Sequence, residues 1–379
     1  MKCQLMNSHR LVIKIGSSLL VDHRKGKIRR EWLLSLGSEI ATLKKNGMSV
    51  IIVSSGAIAV GRTQLGLDSS ELKLEQKQAA AAVGQILITQ AWQDSLKEHN
   101  ITVAQILLTL SDTEERRRHL NARATIETLF DLNVVPVINE NDTIATEEIR
   151  FGDNDRLAAR VAQMTSADTL VLMSDVDGLY TSDPKSNPDS KLLTEVTEIT
   201  PQINAMAGEA RAGYSSGGMV TKLEAAKIAM SAGCSMIITD GKPIGALSNI
   251  FSGGRCTWFK SSSEPMTARK KWIAGTVTIA GKIKIDQGAT KALFAGKSLL
   301  PAGVSTIEGN FKRGDTVEVR DNNDVLIARG LSAYSAIDAK KILGRKSDEI
   351  VQILGYRGRD EMIHRDDLVL DPNSSEKPK

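Results

Sequence analysis

The 379-residue sequence is poor in the residues that mark several large classes of protein. Its three cysteines, Cys3, Cys234 and Cys256, are an odd number without the spacing of a metal site, so we expect neither a disulfide framework nor a cysteine metal centre. The apolar run 11–15 is too short for a signal peptide, and no run approaches the roughly 18 residues that a membrane-spanning helix needs. The sequence therefore predicts a soluble cytoplasmic protein with no membrane partner.

Aromatic residues, histidines and excess charge are scarce as well. Aromatics make up 4% of the chain, and 49 basic against 45 acidic residues leave a formal net charge of only +4. This composition does not suit a general nucleic-acid binder. The five histidines stand mostly in polar surroundings, and we expect none of them to be catalytic. With 41% apolar residues the chain can form a large core, and its length indicates two or three domains.

Short β-branched runs alternate with longer segments of helical periodicity between residue 10 and about residue 250. The apolar runs are 11–15, 49–54, 102–108, 134–138, 168–174 and 235–240, and the helical segments are 30–46, 75–98, 112–131, 154–165 and 219–232. Nearly continuous apolar strands are typical of a parallel sheet that is covered on both faces. The sequence therefore predicts an α/β fold, an αβα sandwich with a mainly parallel sheet.

The pattern changes after residue 255. The segment 255–272 is rich in serine and charge and contains a proline, as linkers often do, and the runs beyond it are short and separated by glycine. These features predict a small β-rich C-terminal domain. The predicted organisation is a first domain over 8–258, a linker over 259–275, a second domain over 276–360 and a tail over 361–379.

Three strands of the first domain end in turns of small or polar residues that open helices. The turns are KIGSSLL (14–20), SSGAIAVG (54–61) and NENDT (139–143). Glycine and serine at such places let backbone N–H groups converge on an anion at a helix N-terminus, and ligands of open α/β sheets sit at the carboxyl ends of the strands. Each turn alone is weak evidence, because most such turns are only turns. None matches a Walker loop or a dinucleotide-binding GxGxxG motif.

Two lysines lie close to turns of this kind. Lys14 interrupts the apolar run VIKIG, where a buried ammonium group needs a partner. Lys222 follows the glycine loop YSSGGMVTK in the first turn of a predicted helix. The structural alternatives are a buried ion pair or a snorkelling lysine for Lys14 and a solvent-facing lysine for Lys222. The functional hypothesis is that two cations hold one phosphoryl group.

The stretch VINENDTIATEEIRFGDND, residues 137–155, ends a strand and then places six carboxylates within sixteen residues. A solvated loop with helix caps is the structural interpretation. The stretch by itself does not identify what function so much negative charge beside a buried strand would serve.

Eight motifs, in this order, resemble those of glutamate 5-kinases, which are members of the amino acid kinase superfamily. They are KIGSS, VSSGAIAVG, KQAAAAVGQ, NARATI, VPVINENDT, GDND, SDVDGLYTSDP and SGGMVTK, and they cover about 240 residues. The C-terminal segments GKIKIDQGATKAL, SLLPAGV and FKRGD are similar to the PUA domain that many bacterial members carry. One departure is that Ser215 and Ser216 stand where the family's loop commonly reads GT, which should keep a hydroxyl group near the nucleotide.

The resemblance implies transfer of the γ-phosphoryl group of ATP to the side-chain carboxylate of L-glutamate, which gives L-glutamyl 5-phosphate for proline biosynthesis. It implies that Lys14 and Lys222 neutralise charge on the phosphoryl group and that Asp155 orients both lysines. No general base is needed, because a γ-carboxylate with a pKa of about 4.3 is already ionised. Mg²⁺ should arrive bound to the phosphates of ATP, so we predict no protein ligand for the metal.

The resemblance also implies two sets of binding residues. The ATP-binding set is Lys14, Ser17, Ser174, Asp175, Ser216, Gly217, Gly218, Met219, Val220, Thr221 and Lys222. The glutamate-binding set is Ser55, Gly56, Ala57, Asn139, Asp142, Asp153 and Asn154. Feedback inhibition by L-proline and assembly into a dimer or tetramer are further implications.

Two alternatives stay open at this point. The chain could be another amino acid kinase, acting on N-acetylglutamate, aspartate or carbamate, although N-acetylglutamate has no free ammonium group for the acidic stretch to bind. It could also be an RNA-binding protein through its PUA-like domain. Residues 276–350 hold twelve Lys or Arg against nine Asp or Glu and only three aromatics, which is little for phosphate tracking or base stacking.

Overall fold

The computed structural model describes residues 5, 7–22, 25–67, 72–145, 154–208, 218–274, 279–371 and 374. The chain divides into two compact units, unit 1 up to Pro265 and unit 2 from Met266 onward. This division lies inside the predicted linker 259–275. The stretch 255–272 is more ordered than its serine-rich composition predicts, since Cys256–Phe259 form a buried strand and Pro265–Ala274 a helix. The exact domain limits stay predictions.

Unit 1 alternates strands and helices as the sequence predicts. Its strands are β1 Arg10–Ile15, β2 Val21–Asp22, β3 Lys27–Ile28, β4 Ser49–Ser54, β5 Val103–Leu108, β6 Val135–Glu140, β7 Thr169–Ser174, β8 Leu179–Tyr180, β9 Leu192–Leu193, β10 Glu195–Val196, β11 Ser235–Asp240 and β12 Cys256–Phe259. Its helices are α1 Ser17–Leu20, α2 Arg30–Lys45, α3 Ala57–Gln64, α4 Leu74–Lys97, α5 Leu110–Glu114, α6 Arg116–Asp131, α7 Asn154–Thr165, α8 Pro201–Met206, α9 Met219–Ser231 and α10 Ala246–Phe251. The predicted helical segment 112–131 is divided into α5 and α6, because Glu115 has an extended backbone.

The large sheet of unit 1 has eight strands in the order β10-β12-β11-β7-β1-β4-β6-β5. All of its pairs are parallel except β11 with β12, so the predicted mainly parallel αβα sandwich is confirmed. Apolar side chains fill both faces of this sheet. On β1, Leu11, Ile13 and Ile15 belong to one core cluster and Val12 belongs to the other. Because strand side chains alternate, Lys14 lies on the same face as Val12.

Unit 2 is a smaller β-rich body, as predicted. Helix α11, Pro265–Ala274, begins at the boundary between the units. The further elements of unit 2 are β13 Gly281–Ile285, α12 Gln287–Phe294, β14 Val304–Gly309, β15 Thr316–Arg320, β16 Leu326–Leu331, α13 Ala336–Ile342, α14 Ile350–Leu354 and β17 Leu368–Leu370. The sheet order is β14-β13-β15-β16-β17, and only β13 and β15 pair in parallel among the described strands. Strand β13 alternates buried and half-buried residues, whereas β7 of unit 1 is buried throughout. Antiparallel sheets with one solvated face show this alternation.

Candidate active site

Two lysines and one aspartate meet inside unit 1. Asp155 is fully buried, and the residues Lys14 and Lys222 are 6% and 7% exposed. The Lys14 ammonium contacts Asp155 Oδ1, and the Lys222 Nζ donates to Asp155 Oδ2 at 2.8 Å. The sequence predicted that these three residues belong to one site, and the structure brings them together.

The fold explains why these side chains converge. Helices α7 and α9 pack against the face of the sheet that carries Val12 and Lys14. Both helices approach closely through alanines, including Ala158 and Ala162 of α7 and Ala225 and Ala226 of α9, all of which are buried. Asp155 stands in the first turn of α7, where the positive end of the helix dipole favours a carboxylate. Its position therefore suits an ionised acid even without the lysines.

Burial and ion pairing act in opposite directions on the Asp155 carboxyl group. Burial alone would raise its pKa, because the charged form loses solvation. The charges of Lys14 and Lys222, together with their hydrogen bonds, outweigh this effect and lower the pKa of Asp155 to about 2. The carboxylate is therefore ionised at neutral pH, and it faces two ammonium groups.

A second network begins one residue earlier in the chain. The Asn154 Nδ2 group lies 2.7 Å from Asn139 Oδ1, 2.8 Å from Ser55 Oγ and 3.1 Å from the Ser54 carbonyl oxygen. The predicted glutamate-binding residues Ser55, Asn139 and Asn154 thus form one cluster at the carboxyl ends of β4 and β6. Because Asn154 and Asp155 are neighbours at the start of α7, this cluster adjoins the lysines.

Gln85 of α4 is a member of this cluster that sequence reasoning missed. Its Oε1 accepts a hydrogen bond from Asn139 Nδ2 at 2.8 Å, and the residue is only 7% exposed. Gln85 is the last residue of the motif KQAAAAVGQ, so the motif contained it. Its hydrogen-bond partner could not be predicted, because Asn139 is 54 residues away in the sequence. The contact depends on the tertiary fold.

The turns after β1 and β4 lie side by side. Gly56 has a φ of +101°, a left-handed conformation that favours glycine, and it starts helix α3. A Cβ atom at Gly56 would lie 3.4 Å from Ser17 Oγ, and the Ser55 backbone N–H donates to the Ile15 carbonyl oxygen at 3.3 Å. The backbone at Gly56 and Ala57 is thereby presented beside Ser17, at the N-terminal ends of α1 and α3.

The turn after β7 holds Ser174 and Asp175, which were predicted to bind the nucleotide. Ser174 Oγ donates to Asp175 Oδ1 at 3.2 Å, and its carbonyl oxygen accepts from the Gly241 N–H at 2.8 Å. Lys242, a second residue that the sequence did not single out, donates from Nζ to the Asp175 carbonyl oxygen at 2.7 Å. The turn after β11 therefore braces the turn after β7.

The predicted nucleotide loop is described from Gly218 onward. Gly218 is exposed, and Thr221 Oγ1 donates to its carbonyl oxygen at 2.9 Å at the start of α9. Met219, Val220 and Thr221 are half-buried beside Lys222, and Asp142 is half-buried in the turn after β6. The predicted residues Ser216, Gly217 and Asp153 lie outside the described residues.

Strand β1 separates the two groups of candidate residues. The cluster of Ser55, Asn139 and Asn154 uses the ends of β4 and β6 on one side of β1, and Ser174 follows β7 on the other side. Lys14 sits at the end of β1 itself. Such an arrangement can hold two ligands at the edge of one sheet, with a cation between them.

Two features are absent from the described part of the chain. No three His, Cys, Asp or Glu side chains gather there into a metal-binding group. Within the same residues, no helix has both the length and the apolar character to cross a membrane.

Comparison with known proteins identifies both units. Residues 9–240 match the model of the amino acid kinase family, and residues 281–354 match the model of the PUA domain. The glutamate 5-kinase of Paramagnetospirillum magneticum is 61% identical over 97% of this chain and 99% of its own length. That of Agrobacterium fabrum is 59% identical over 97% of this chain and 94% of its own length.

A solved structure of low sequence identity is similar to part of this chain. Carbamate kinase from Giardia lamblia bound to AMP-PNP covers 68% of this chain and 100% of its own, with 21% identity and a TM-score of 0.49. The family match over more than half of the chain and the full-length similarity to curated relatives agree with each other. The chain therefore belongs to the amino acid kinase family, and within that family to the glutamate 5-kinases that carry a C-terminal PUA domain.

Proposed function

We propose that the protein transfers the γ-phosphoryl group of ATP to the γ-carboxylate of L-glutamate, producing L-glutamyl 5-phosphate and ADP in the cytoplasm. The reaction is the first step of proline biosynthesis. The observation that supports the proposal is that the adjacent residues Asn154 and Asp155 contact two different groups of candidate residues. Asn154 binds the turn after β4 on the acceptor side, and Asp155 binds both buried lysines. The two substrates would meet at this point.

The lysines would stabilise the transferring phosphoryl group. Lys14 and Lys222 bring two positive charges to one carboxylate, so the cluster keeps a net positive charge for an incoming phosphate. In the reaction, a γ-carboxylate oxygen of glutamate forms a bond to the γ-phosphorus while the bond from that phosphorus to the β,γ-bridging oxygen breaks. The electron pair leaves with ADP. Catalysis then rests on positioning and on charge neutralisation.

Asp155 would act as a positioning residue for the lysines. Its two oxygens each contact one ammonium group, which fixes the distance between the cations before ATP binds. A preorganised pair of charges need not reorient during the reaction, and this is where electrostatic catalysis gains most.

The acceptor pocket would bind glutamate at both of its ends. The backbone N–H groups at Gly56 and Ala57, with Ser55 Oγ, offer donors to a carboxylate at the N-terminus of α3. Asp142 and Asp153 would attract the ammonium group, with Asn139 and Asn154 fixing its orientation. N-acetylglutamate lacks this ammonium, and aspartate is one methylene shorter, so neither would fill the pocket as glutamate does.

The nucleotide would lie on the opposite side of β1. Ser17, Ser174 and Asp175 would contact it from the ends of β1 and β7, and the loop Ser216, Gly217, Gly218 with Met219, Val220 and Thr221 would approach its phosphates at the start of α9. Helix N-termini favour phosphate through their N–H groups and dipole.

The residues at this site do not fit a metal cage. Both Asp155 oxygens contact lysines, and no three His, Cys, Asp or Glu side chains among the described residues form a metal-binding group. Mg²⁺ would enter with ATP, held by phosphate oxygens and water. We assign no catalytic step to a protein-bound metal.

Two further properties extend the same proposal. L-Proline carries an ammonium-type nitrogen and an α-carboxylate, so it could compete with glutamate for the pocket and act as a feedback inhibitor. We also propose a homo-oligomer, a dimer or a tetramer.

A hydroxylamine trap tests the reaction directly. Purified protein is incubated with ATP, Mg²⁺ and hydroxylamine, and with glutamate, N-acetylglutamate or aspartate in parallel vessels. An acyl phosphate product gives a hydroxamate, and we expect hydroxamate from glutamate at a rate well above the other two. Hydroxamate formed chiefly from another substrate, or ADP formed without any hydroxamate, would contradict the proposal.

A further inference from the structure

Helix α4 carries three polar side chains at intervals of seven residues, Gln78, Gln85 and Trp92. Seven residues are about two turns of an α-helix, so these three side chains lie along one line on its surface. Each of them bonds to a different segment beside the candidate acceptor pocket. Gln78 Nε2 donates to the Ala145 carbonyl oxygen at 3.1 Å, Gln85 Oε1 accepts from Asn139 Nδ2 at 2.8 Å, and Trp92 Nε1 donates to Ser54 Oγ at 3.2 Å.

The position of α4 relative to these segments is fixed by direct backbone contact with α3. A Cβ atom at Gly84 would lie 1.8 Å from the Ala57 carbonyl oxygen, and one at Gly61 would lie 1.8 Å from the Ala80 carbonyl oxygen. No side chain fits between the two helices at these points. Gly84 therefore contacts Ala57, which is the first residue of α3 after the SSG turn. Gln85 is the next residue of α4.

Gln85 determines which way the neighbouring amides point. Because Asn139 gives its Nδ2 hydrogens to Gln85, it must present Oδ1 to Asn154. Asn154 in turn directs its Nδ2 toward Asn139, Ser55 and Ser54, which turns its own oxygen, an acceptor, away from them. A single acceptor atom on α4 thus sets the donor and acceptor pattern of two amides, the buried Asn139 and the half-buried Asn154.

We propose that Gln78, Gln85 and Trp92 are positioning residues for the acceptor substrate, and that Gln85 sets the preference for a substrate with a free amino group. The inference rests on the proposed glutamate site. With Gln85 in place, amide oxygens face a substrate ammonium. Without its acceptor, the Asn139 amide can reverse, Asn154 can follow, and amide N–H groups would then meet the ammonium.

The experiment compares variants of the full-length protein in the hydroxamate assay. In Gln85→Leu we expect KM for glutamate to rise by about 10-fold or more, as for a lost hydrogen bond to a charged group, with KM for ATP unchanged. We also expect a smaller advantage in kcat/KM for glutamate over glutarate, which lacks the amino group. Gln85→Glu keeps an acceptor oxygen for Asn139 and should restore most of the glutamate preference.

Controls separate positioning from loss of structure. Gln90 lies on the same helix, is exposed and donates to Asp94 Oδ1, so Gln90→Leu should leave both KM values unchanged. Gln78→Leu should raise KM for glutamate by a smaller factor and leave KM for ATP unchanged. This variant replaces Gln85→Leu in the test if Gln85→Leu does not fold.

The outcomes distinguish this inference from the proposed function. Equal increases in both KM values, or an unaltered ratio of glutamate to glutarate in Gln85→Leu, would overturn the positioning role while the kinase activity stands. An unaltered protein that forms no hydroxamate from glutamate would overturn the proposed function, and the inference with it.

Discussion

Both units of the molecule contain a buried carboxylate that two cations hold, but the cations differ. In unit 1 they are Lys14 and Lys222 on Asp155, and the lysine side chains are each 8% exposed. In unit 2 they are arginines. Glu318 pairs with Arg320 at 2.7 Å and Arg329 at 3.7 Å, and these arginine side chains are 21% and 35% exposed.

The difference shows what separates a structural ion pair from a candidate catalytic one. Arginine presents a rigid planar fork that suits a fixed partner, whereas the lysine ammonium is a compact charge on a flexible stem that can turn to a second anion. Glu318 and its arginines stand on β15 and β16, within the sheet. Asp155 and Lys222, at the starts of α7 and α9, meet Lys14 near the end of β1, beside the turn that leads into α1. Location and cation type, rather than the carboxylate, mark the site.

The largest expected effect is on activity. Lys14→Ala or Lys222→Ala should lower kcat in the hydroxamate assay by about 1,000-fold, because in the proposed mechanism each removes a charge that stabilises the transferring phosphoryl group. Arg320→Ala in unit 2 is the matched change and should leave kcat within about 2-fold, since it touches no phosphoryl group. If Lys14→Ala or Lys222→Ala kept a tenth of the activity or more, the Asp155 cluster could not be distinguished as catalytic from the Glu318 cluster of unit 2.

Asp155→Asn should cause the largest loss of stability. It leaves two buried ammonium groups beside each other without a counter-charge, and we expect the free energy of unfolding of unit 1 to fall by about 3–5 kcal/mol. Glu318→Gln should cost about 1 kcal/mol, because its arginines reach solvent. Hydrogen exchange in urea, measured on peptides from each unit, follows the two losses of stability separately, whereas tryptophan fluorescence would mix them because Trp272 lies in unit 2. Similar losses in both units would contradict the comparison.

The dependence of stability on acidic pH gives an independent test of the role of Asp155. The folded-state pKa of Asp155, about 2, lies below its ordinary value of 3.8, so its stabilising contribution is present above pH 4 and is lost as the pH falls toward 2. The stability gap between the unaltered protein and Asp155→Asn should therefore narrow between pH 4 and pH 2. A gap that is constant over this range would mean that ion pairing is not the source of the effect.

Unit 2 should show the opposite pH dependence. Burial, followed by the negative groups nearby, raises the pKa of Tyr334 from 10 to about 12. A raised folded-state pKa gives stability that is present below pH 10 and lost as the pH rises toward 12. Hydrogen exchange of unit 2 should show less alkaline destabilisation in Tyr334→Phe than in the unaltered protein. Equal alkaline slopes for the two proteins would exclude this phenol as the cause.

The smallest effect concerns an exposed ion pair of unit 2. Lys284 lies 3.2 Å from Asp324, and both side chains reach solvent. Lys284→Ala should leave the melting temperature and kcat unchanged, because exposed pairs contribute little. A clear fall in either quantity would show that unit 2 depends on surface charge more than its structure indicates.

The sequence predicted most of the framework and the charged centre of the site. Strands such as β4 and β11 follow from their apolar runs, and Lys14 stands out because a lysine in such a run needs a partner. The Gln85 to Asn139 contact could not be predicted, because no local pattern tells which of several helical glutamines faces a distant amide. Strand β12 was missed although Thr257, Trp258 and Phe259 favour a strand, because the run is only four residues long and is followed by a serine-rich segment that resembles a linker.

The separation of Lys14, Asp155 and Lys222 along the chain has a consequence for protein synthesis. The first lysine leaves the ribosome near the start of unit 1 and the second near its end, and the central strand β1 needs β4 and β7 as neighbours before its lysine is enclosed. Domains fold largely as units as they are completed. A nascent chain that stops before α9 therefore lacks Lys222 and with it one of the two cations on Asp155, so under the proposed mechanism an interrupted translation product would not consume ATP.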